Sequence, residues 1–151
     1  MKRITSYILI LLIAFQVISA VPAGWALISD PSGETLGLPI ILLNQAPFDN
    51  FLIPGLFLFF ILGLIPLLIL YGLITKKELK FFQKINIYKN HHWSWTFSYY
   101  FGLVLIVWIN MQLYFRIGFD ILHLIYSMLG ICIVFTSHLP ATKAYYRTNK
   151  D

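Results

Sequence analysis

The chain has 151 residues, of which 59% are hydrophobic and only 11% are charged, and its formal net charge is +5 at pH 7. Soluble domains carry about 25% charged residues, so this composition excludes a water-facing globular protein and indicates an integral membrane protein. A single cysteine, Cys132, excludes an intrachain disulfide and CxxC redox or zinc-ribbon sites.

Four apolar stretches are long enough to cross a hydrocarbon core about 30 Å thick, which takes about 20 helical residues. They cover residues 7–28, 51–74, 95–115 and 119–139. We therefore predict an all-α integral membrane protein, a single domain over 1–151 that folds as a four-transmembrane-helix bundle.

The first stretch also has features of a secretory signal peptide. Lys2 and Arg3 precede an apolar run, and small residues follow at 19–23. The apolar run continues through Trp25 to Ile28, which is long for a signal peptide. We expect this segment to be retained as a membrane anchor.

The loop at 29–50 is predicted to be partly ordered. Residues 30–33 (Asp-Pro-Ser-Gly) match a type I turn, and residues 36–43 are unusually apolar for a loop. We interpret the loop as a lid that carries Asp30, Glu34 and Asp49. The alternative is that it merely covers exposed helix ends.

Pro66 is predicted to kink the second span, since proline removes a backbone N–H from the helix.

The loop at 75–94 is rich in lysine. Over 76–88 the apolar and basic residues sort onto opposite faces, which predicts an amphipathic helix on anionic lipid headgroups. A simple topology anchor is the alternative, and we expect no binding to nucleic acid. The lipid-facing lysines are Lys76, Lys77, Lys80 and Lys84.

Two histidines, His91 and His92, follow this basic segment. Adjacent residues seldom point at one ion, so aromatic packing at the membrane interface is favoured over metal binding.

Basic residues set the predicted orientation through the positive-inside rule. In a four-span topology all but Arg116 fall on one side, whereas the 29–50 loop on the other side has no Lys or Arg. Both termini are therefore predicted to be cytoplasmic. The basic residues on that side are Lys2, Arg3, Lys76, Lys77, Lys80, Lys84, Lys89, Lys143, Arg147 and Lys150.

Polar residues recur on one face of each of the last two spans. A tight turn around 116–118 makes these spans antiparallel neighbours, which brings their polar residues level near the outer surface. An outward-facing polar pocket between these two helices is predicted. Its candidate residues are Gln16, Asn110, Gln112, Arg116, Asp120, His123 and Ser127.

The same residues also fit a purely structural role. Arg116 and Asp120, four residues apart, could form an ion pair if the helix continued between them. The amides of Gln16, Asn110 and Gln112 could join helices at roughly 0.6 kcal/mol each.

The sequence supports catalysis less well than ligand binding. Asp120 and His123 supply only two possible metal ligands, so we expect no metal and no cofactor. No span has an acid near its centre, which disfavours a proton-coupled exporter.

The leading functional prediction is a non-catalytic accessory, interaction or sensing subunit. Its expected partners are the lipid bilayer and another membrane protein or a second copy of the chain. The alternative is a binder or enzyme that takes a small or lipidic ligand in the polar pocket.

Several segments resemble a family of small bacterial four-span membrane proteins. The resemblance extends over most of the chain and implies a bacterial inner (plasma) membrane location, without implying an activity. It rests on residues 24–25, 30–33, 36–39, 47–48, 51–55 and 93–95.

Overall fold

Long apolar segments become helices in lipid because a helix satisfies its own backbone hydrogen bonds. A computed structural model describes residues 2–117 and 120–148, and the regular elements of this part are all helical. They are α1 (Lys2–Ser29), α2 (Leu52–Thr75), α3 (Lys80–Ile85), α4 (Trp93–Tyr114), α5 (Ile121–His138) and α6 (Pro140–Tyr145).

Helices α1, α2, α4 and α5 are long and apolar enough to cross a membrane. This confirms an all-helical chain with four helices of spanning length and is consistent with a multi-pass membrane protein. The predicted start of the fourth span at Phe119, the turn residue Gly118 and Lys150 all lie outside the described residues.

The lateral surface is apolar. Leu11, Ile18 and Phe135 are each about two-thirds exposed or more, at 68%, 73% and 66%. Contiguous apolar surface of this kind is rare on soluble monomers, whereas lipid tails solvate it.

The two ends of the bundle differ in character. We call one the loop end, which holds residues 30–51 and the α4–α5 connection. The other is the basic end, which holds the start of α1, the 76–92 segment and α6. Between them lies a core from all four long helices, which includes Leu9, Ile13, Ile69, Leu105 and Ile133.

Helix α2 is irregular where the sequence predicts a kink. Residues Phe57–Leu64 form a π-helix directly before Pro66. Because Pro66 has no N–H, the Leu62 carbonyl lacks its donor from one α-helical turn ahead. The Gln16 side chain of α1 takes that place, since its Nε2 donates to the Leu62 oxygen at 3.3 Å.

Glycines let α1 and the first half of α2 approach closely. A Cβ on Gly24 would lie 2.5 Å from the Phe59 nitrogen, and one on Gly55 would lie 2.7 Å from Leu27 Cβ. Gly24 is therefore a small-residue contact between α1 and α2.

The two halves of α2 have different neighbours. Residues 52–64 pack against α1, whereas residues 65–75 pack against both α1 and α4. Space is therefore available between α4 and the first half of α2, at the loop end.

The buried polar side chains lie mostly at the basic end, away from the predicted outer pocket. Gln16 is the member of this set that lies on the loop side. The others are Ser6, Gln83, Asn86, His92, Ser94, Thr96, Ser98, Thr136, Ser137 and Thr142.

Two tryptophans are core residues of the basic end. Trp93 and Trp95 are 0% and 2% exposed. Each indole N–H has a carbonyl acceptor, Lys77 for Trp93 at 3.0 Å and Ser137 for Trp95 at 2.7 Å. A satisfied N–H removes the reason for an indole to stay at the water boundary.

The predicted amphipathic helix over 76–88 is wrong in extent, because only Lys80–Ile85 is helical. Lys76 has φ 53° and ends α2, and its ammonium lies 3.4 Å from the centroid of the Tyr145 ring. Exposed lysines and exposed apolar side chains do adjoin here. They are Lys77, Lys80, Lys84, Phe81, Ile85 and Ile87.

The close approach of α1 and α2 yields a stability prediction. Gly24→Ala should lower the free energy of unfolding by about 1–3 kcal/mol, because the methyl group meets the Phe59 backbone. Unfolding in detergent micelles measures this. Ile18→Ala on the exposed side of α1 is the control and should change stability by no more than about 0.5 kcal/mol. Equal effects of the two substitutions would contradict the packing described.

Candidate functional site

A cavity of about 600 Å³ lies at the loop end of the bundle. This is within the range of about 300–1,000 Å³ that is typical of ligand sites. All four long helices and the loop line it, so it is not confined to the space between α4 and α5, where the sequence placed the pocket.

The wall of the cavity is mainly apolar. Helix α1 contributes Ala20, Ala23 and Leu27, and the first half of α2 contributes Pro54, Leu58 and Leu62. Helix α4 forms the opposite wall. Its apolar lining residues are Leu105, Trp108, Ile109, Met111 and Phe115.

The loop closes the cavity with apolar residues and not with acids. The lining residues come largely from the segment that is unusually apolar in the sequence, and they are Leu36, Leu38, Leu42, Leu43, Phe48 and Phe51. The predicted lid residues Asp30, Glu34 and Asp49 are not among the lining residues, so the inner side of the lid is apolar.

Asp30 instead holds the loop together. Its carboxylate accepts the Ser32 hydroxyl at 2.6 Å and the Thr35 backbone N–H at 2.8 Å. Hydrogen bonds from Ser32 and Thr35 lower the pKa of Asp30 to about 2. The Gly33 N–H donates to the Asp30 carbonyl at 3.1 Å, which confirms the predicted turn.

Four of the predicted pocket residues line the cavity: Gln16, Gln112, Asp120 and His123. Sequence reasoning missed Tyr126, which lies one turn beyond His123 on α5. Except for Gln16 and Ser19 of α1, the polar lining residues gather where α4 ends and α5 begins. The cavity therefore has an apolar body and a polar rim.

Asp120 and His123 are held in place by the start of α5. Asp120 Oδ1 accepts the Ile121 N–H at 2.6 Å, and the Asp120 N–H donates to His123 Nδ1 at 3.3 Å. This reciprocal capping satisfies the first turn of the helix. Because Nδ1 accepts, the proton of the neutral ring lies on His123 Nε2, which leaves a donor on this rim.

Gln16 lies deeper, at 1% exposure. The Leu62 carbonyl can only accept, so the amide nitrogen must face it and the oxygen must face away. That oxygen has no hydrogen-bond partner among the described residues. Gln16 thus joins α1 to α2, as one predicted alternative has it, through its amide nitrogen alone.

The other predicted pocket residues lie elsewhere. Asn110 is exposed and donates to the Ile106 carbonyl of its own helix at 2.8 Å. Arg116 is exposed with φ 52°, beyond the end of α4, so it is not one helical turn from Asp120. Ser127 is half-buried and is not a lining residue.

A second, shallower groove of about 500 Å³ lies on the outside of the bundle between α2 and α4. Phe48, Trp108 and Met111 line both the groove and the cavity. The Phe57 and Trp108 rings stack at this boundary, with centroids 4.1 Å apart and planes 16° apart. Phe57 lines the groove but not the cavity.

At the basic end, the two histidines pack against aromatic rings, as predicted. His91 stacks on Trp95 at 4.4 Å between ring centroids. His92 caps α4 through Nδ1, which contacts the Ser94 hydroxyl at 2.8 Å. Within residues 2–117 and 120–148, no group of three His, Cys, Asp or Glu side chains could hold a metal ion.

Comparison with known proteins identifies no relative. No family model, no curated protein and no solved structure matches the chain. The function must therefore be argued from the site itself.

Buried His92 and half-buried His91 make stability dependent on pH. Burial lowers the pKa of His92 below 6.5, and burial with the charges of Lys143 and Arg147 lowers that of His91. The unfolded chain then binds more protons than the folded protein just below pH 6.5. Stability is therefore complete above that value and is lost as the pH falls through the folded pKa values.

Unfolding in detergent at about pH 8 and about pH 5.5 tests this dependence. His92→Asn keeps a capping acceptor for α4 but does not titrate, so it should reduce the loss of stability at the lower pH. The same loss in the variant and the parent would show that His92 is not responsible.

Proposed function

We propose that the chain binds a lipid-like amphiphile in the cavity at the loop end. The observation that carries the proposal is the cavity of about 600 Å³ with an apolar body and a polar rim. Ligand sites are typically mostly apolar, with a few polar groups that fix orientation. This develops the ligand-binding alternative drawn from the sequence, and the accessory-subunit role stays a prediction.

The distribution of polarity in the cavity indicates how such a ligand would lie. Its apolar part would pack among Leu27, Leu58 and Leu105, beneath the apolar inner side of the loop. Its head would lie at the rim, where Gln112 and His123 offer hydrogen bonds. A volume of this size suits one chain or one compact molecule better than a two-chain phospholipid.

The charge of the rim favours a neutral or cationic head. Asp120 is the one charged residue among the described lining residues, and Arg116 lies outside the lining. A carboxylate head would meet a like charge at Asp120, whereas a hydroxyl can donate to it and accept from His123 Nε2.

We place the protein in a bacterial plasma membrane with both termini in the cytoplasm. The support is the concentration of lysine and arginine at the basic end, beside a loop end whose 29–50 segment has neither. In this orientation the cavity lies in the outer half of the bilayer. Exposed Lys77, Lys80 and Lys84 would contact the inner headgroups.

Quenching of Trp108, which lines the cavity, tests ligand binding. The probe is bromine-labelled hexadecanol, added to purified protein in mild detergent. All proteins carry Trp25→Phe, because Trp25 is 60% exposed and would be quenched nonspecifically. We expect saturable quenching, weaker with bromine-labelled palmitic acid, whose carboxylate approaches Asp120.

Cavity-filling variants provide the matched control. Ala23 lines the cavity and Ala26, on the same helix, does not. Ala23→Phe should weaken probe binding by tenfold or more (about 1.4 kcal/mol), whereas Ala26→Phe should bind like the parent. Equal saturable quenching in both variants, with both folded, would rule out the cavity as the binding site.

A further inference from the structure

We propose that the ligand enters the cavity sideways from the bilayer, through the groove between α2 and α4, and that the Phe57–Trp108 stack is the gate. This rests on the proposed binding function and defines its ligand as a resident of the membrane. The occupant of the groove is the acyl chain of that ligand.

The position of the groove identifies its occupant. All but one of its lining residues belong to α2 or α4, the exception being Phe48, and both helices are long and apolar enough to span the membrane. Its lining residues are Phe48, Ile53, Phe57, Leu103, Val104, Val107, Trp108 and Met111, which offer almost no polar surface. At this depth the surrounding solvent is hydrocarbon chains, so a chain is what fills it.

A single wall of side chains separates the groove from the cavity. Three lining residues, Phe48, Trp108 and Met111, are common to both. The first half of α2 packs on α1, and at this level its Phe57 ring stacks on the Trp108 ring of α4. A ring pair contributes only about 0.5–1.5 kcal/mol beyond its buried area, so rotation of one ring opens the wall at modest cost.

The other walls are less suited to a chain. Helices α1 and α5 are in contact, with the Phe15 and Tyr126 rings 6.2 Å apart. At the loop end the route passes the ordered turn, where the Phe51 N–H donates to the Pro31 carbonyl at 2.9 Å. A hydrocarbon chain taking that route would have to cross the water-facing surface.

Phe57 allows the gate to be tested without changing the cavity, because Phe57 does not line it. The experiment uses protein with Trp25→Phe in vesicles, mixed rapidly with vesicles that contain bromine-labelled hexadecanol. Because Trp108 also lines the groove, entry is reported by the rate of the part of the Trp108 quenching that Ala23→Phe removes, and exit by its recovery with unlabelled hexadecanol. Phe60→Ala is the control, since Phe60 lies on the same π-helix and lines neither space.

We expect Phe57→Ala to raise the entry and exit rates together, roughly 3- to 10-fold, and to change equilibrium binding less than twofold. Phe60→Ala should leave both rates as in the parent. The proposal is overturned if Phe57→Ala has the parent's rates, or if Leu38→Ala in the loop raises them instead. The absence of saturable quenching in every protein would count against the binding function itself, whereas unchanged rates with normal binding count against the route alone.

Discussion

A backbone carbonyl without a donor is costly in hydrocarbon, and Pro66 removes the N–H that a regular α-helix would direct at the Leu62 carbonyl in the middle of this long apolar helix. The Gln16 amide of α1 supplies the missing donor at 3.3 Å. This hydrogen bond ties α1 to α2 beside the π-helix of Phe57–Leu64, a kind of segment that often occurs at functional sites. Together with the close contacts at Gly24 and Gly55, it holds the first half of α2 against α1 rather than against α4.

The bundle is consequently tight at one end and open at the other. At the basic end, Trp93 and Trp95 are buried with satisfied indole N–H groups, and Tyr146 joins Ser6 at 2.6 Å and the Leu73 carbonyl at 3.1 Å. Burial raises the pKa of Tyr146 to about 12, so its hydroxyl stays protonated and can donate. At the loop end the helices enclose a cavity that is covered by the apolar inner side of the loop. A tightly packed basic end and a more open loop end together suit the proposed binding of a ligand from the bilayer.

The four spans could be predicted from the sequence because a spanning helix needs only length and apolar composition, which local sequence reveals. The site could be predicted only in part. Gln16, Gln112, Asp120 and His123 line the cavity, whereas Arg116 does not, because the chain turns at φ 52° where a continuous helix would have placed it. Within the predicted lid, the apolar stretch at 36–43 contributes lining residues, whereas the acids Asp30, Glu34 and Asp49 do not line the cavity. The helix predicted over 76–88 is shorter because Lys76 ends α2 and the Lys77 carbonyl accepts the Trp93 indole N–H. Contacts between residues this far apart in the chain leave no local sequence pattern.

A double-mutant cycle of Gln16 and Pro66 tests most directly whether the Gln16 amide replaces the donor that Pro66 removes. The free energy of unfolding is measured in detergent for the parent, Gln16→Leu, Pro66→Ala and the double variant. Gln16→Leu should cost about 1 kcal/mol in the parent and close to nothing with Pro66→Ala, where the restored backbone N–H at position 66 can reach the Leu62 carbonyl. This gives a coupling of roughly 0.6–1.7 kcal/mol. The same cost of Gln16→Leu in both backgrounds would contradict this account.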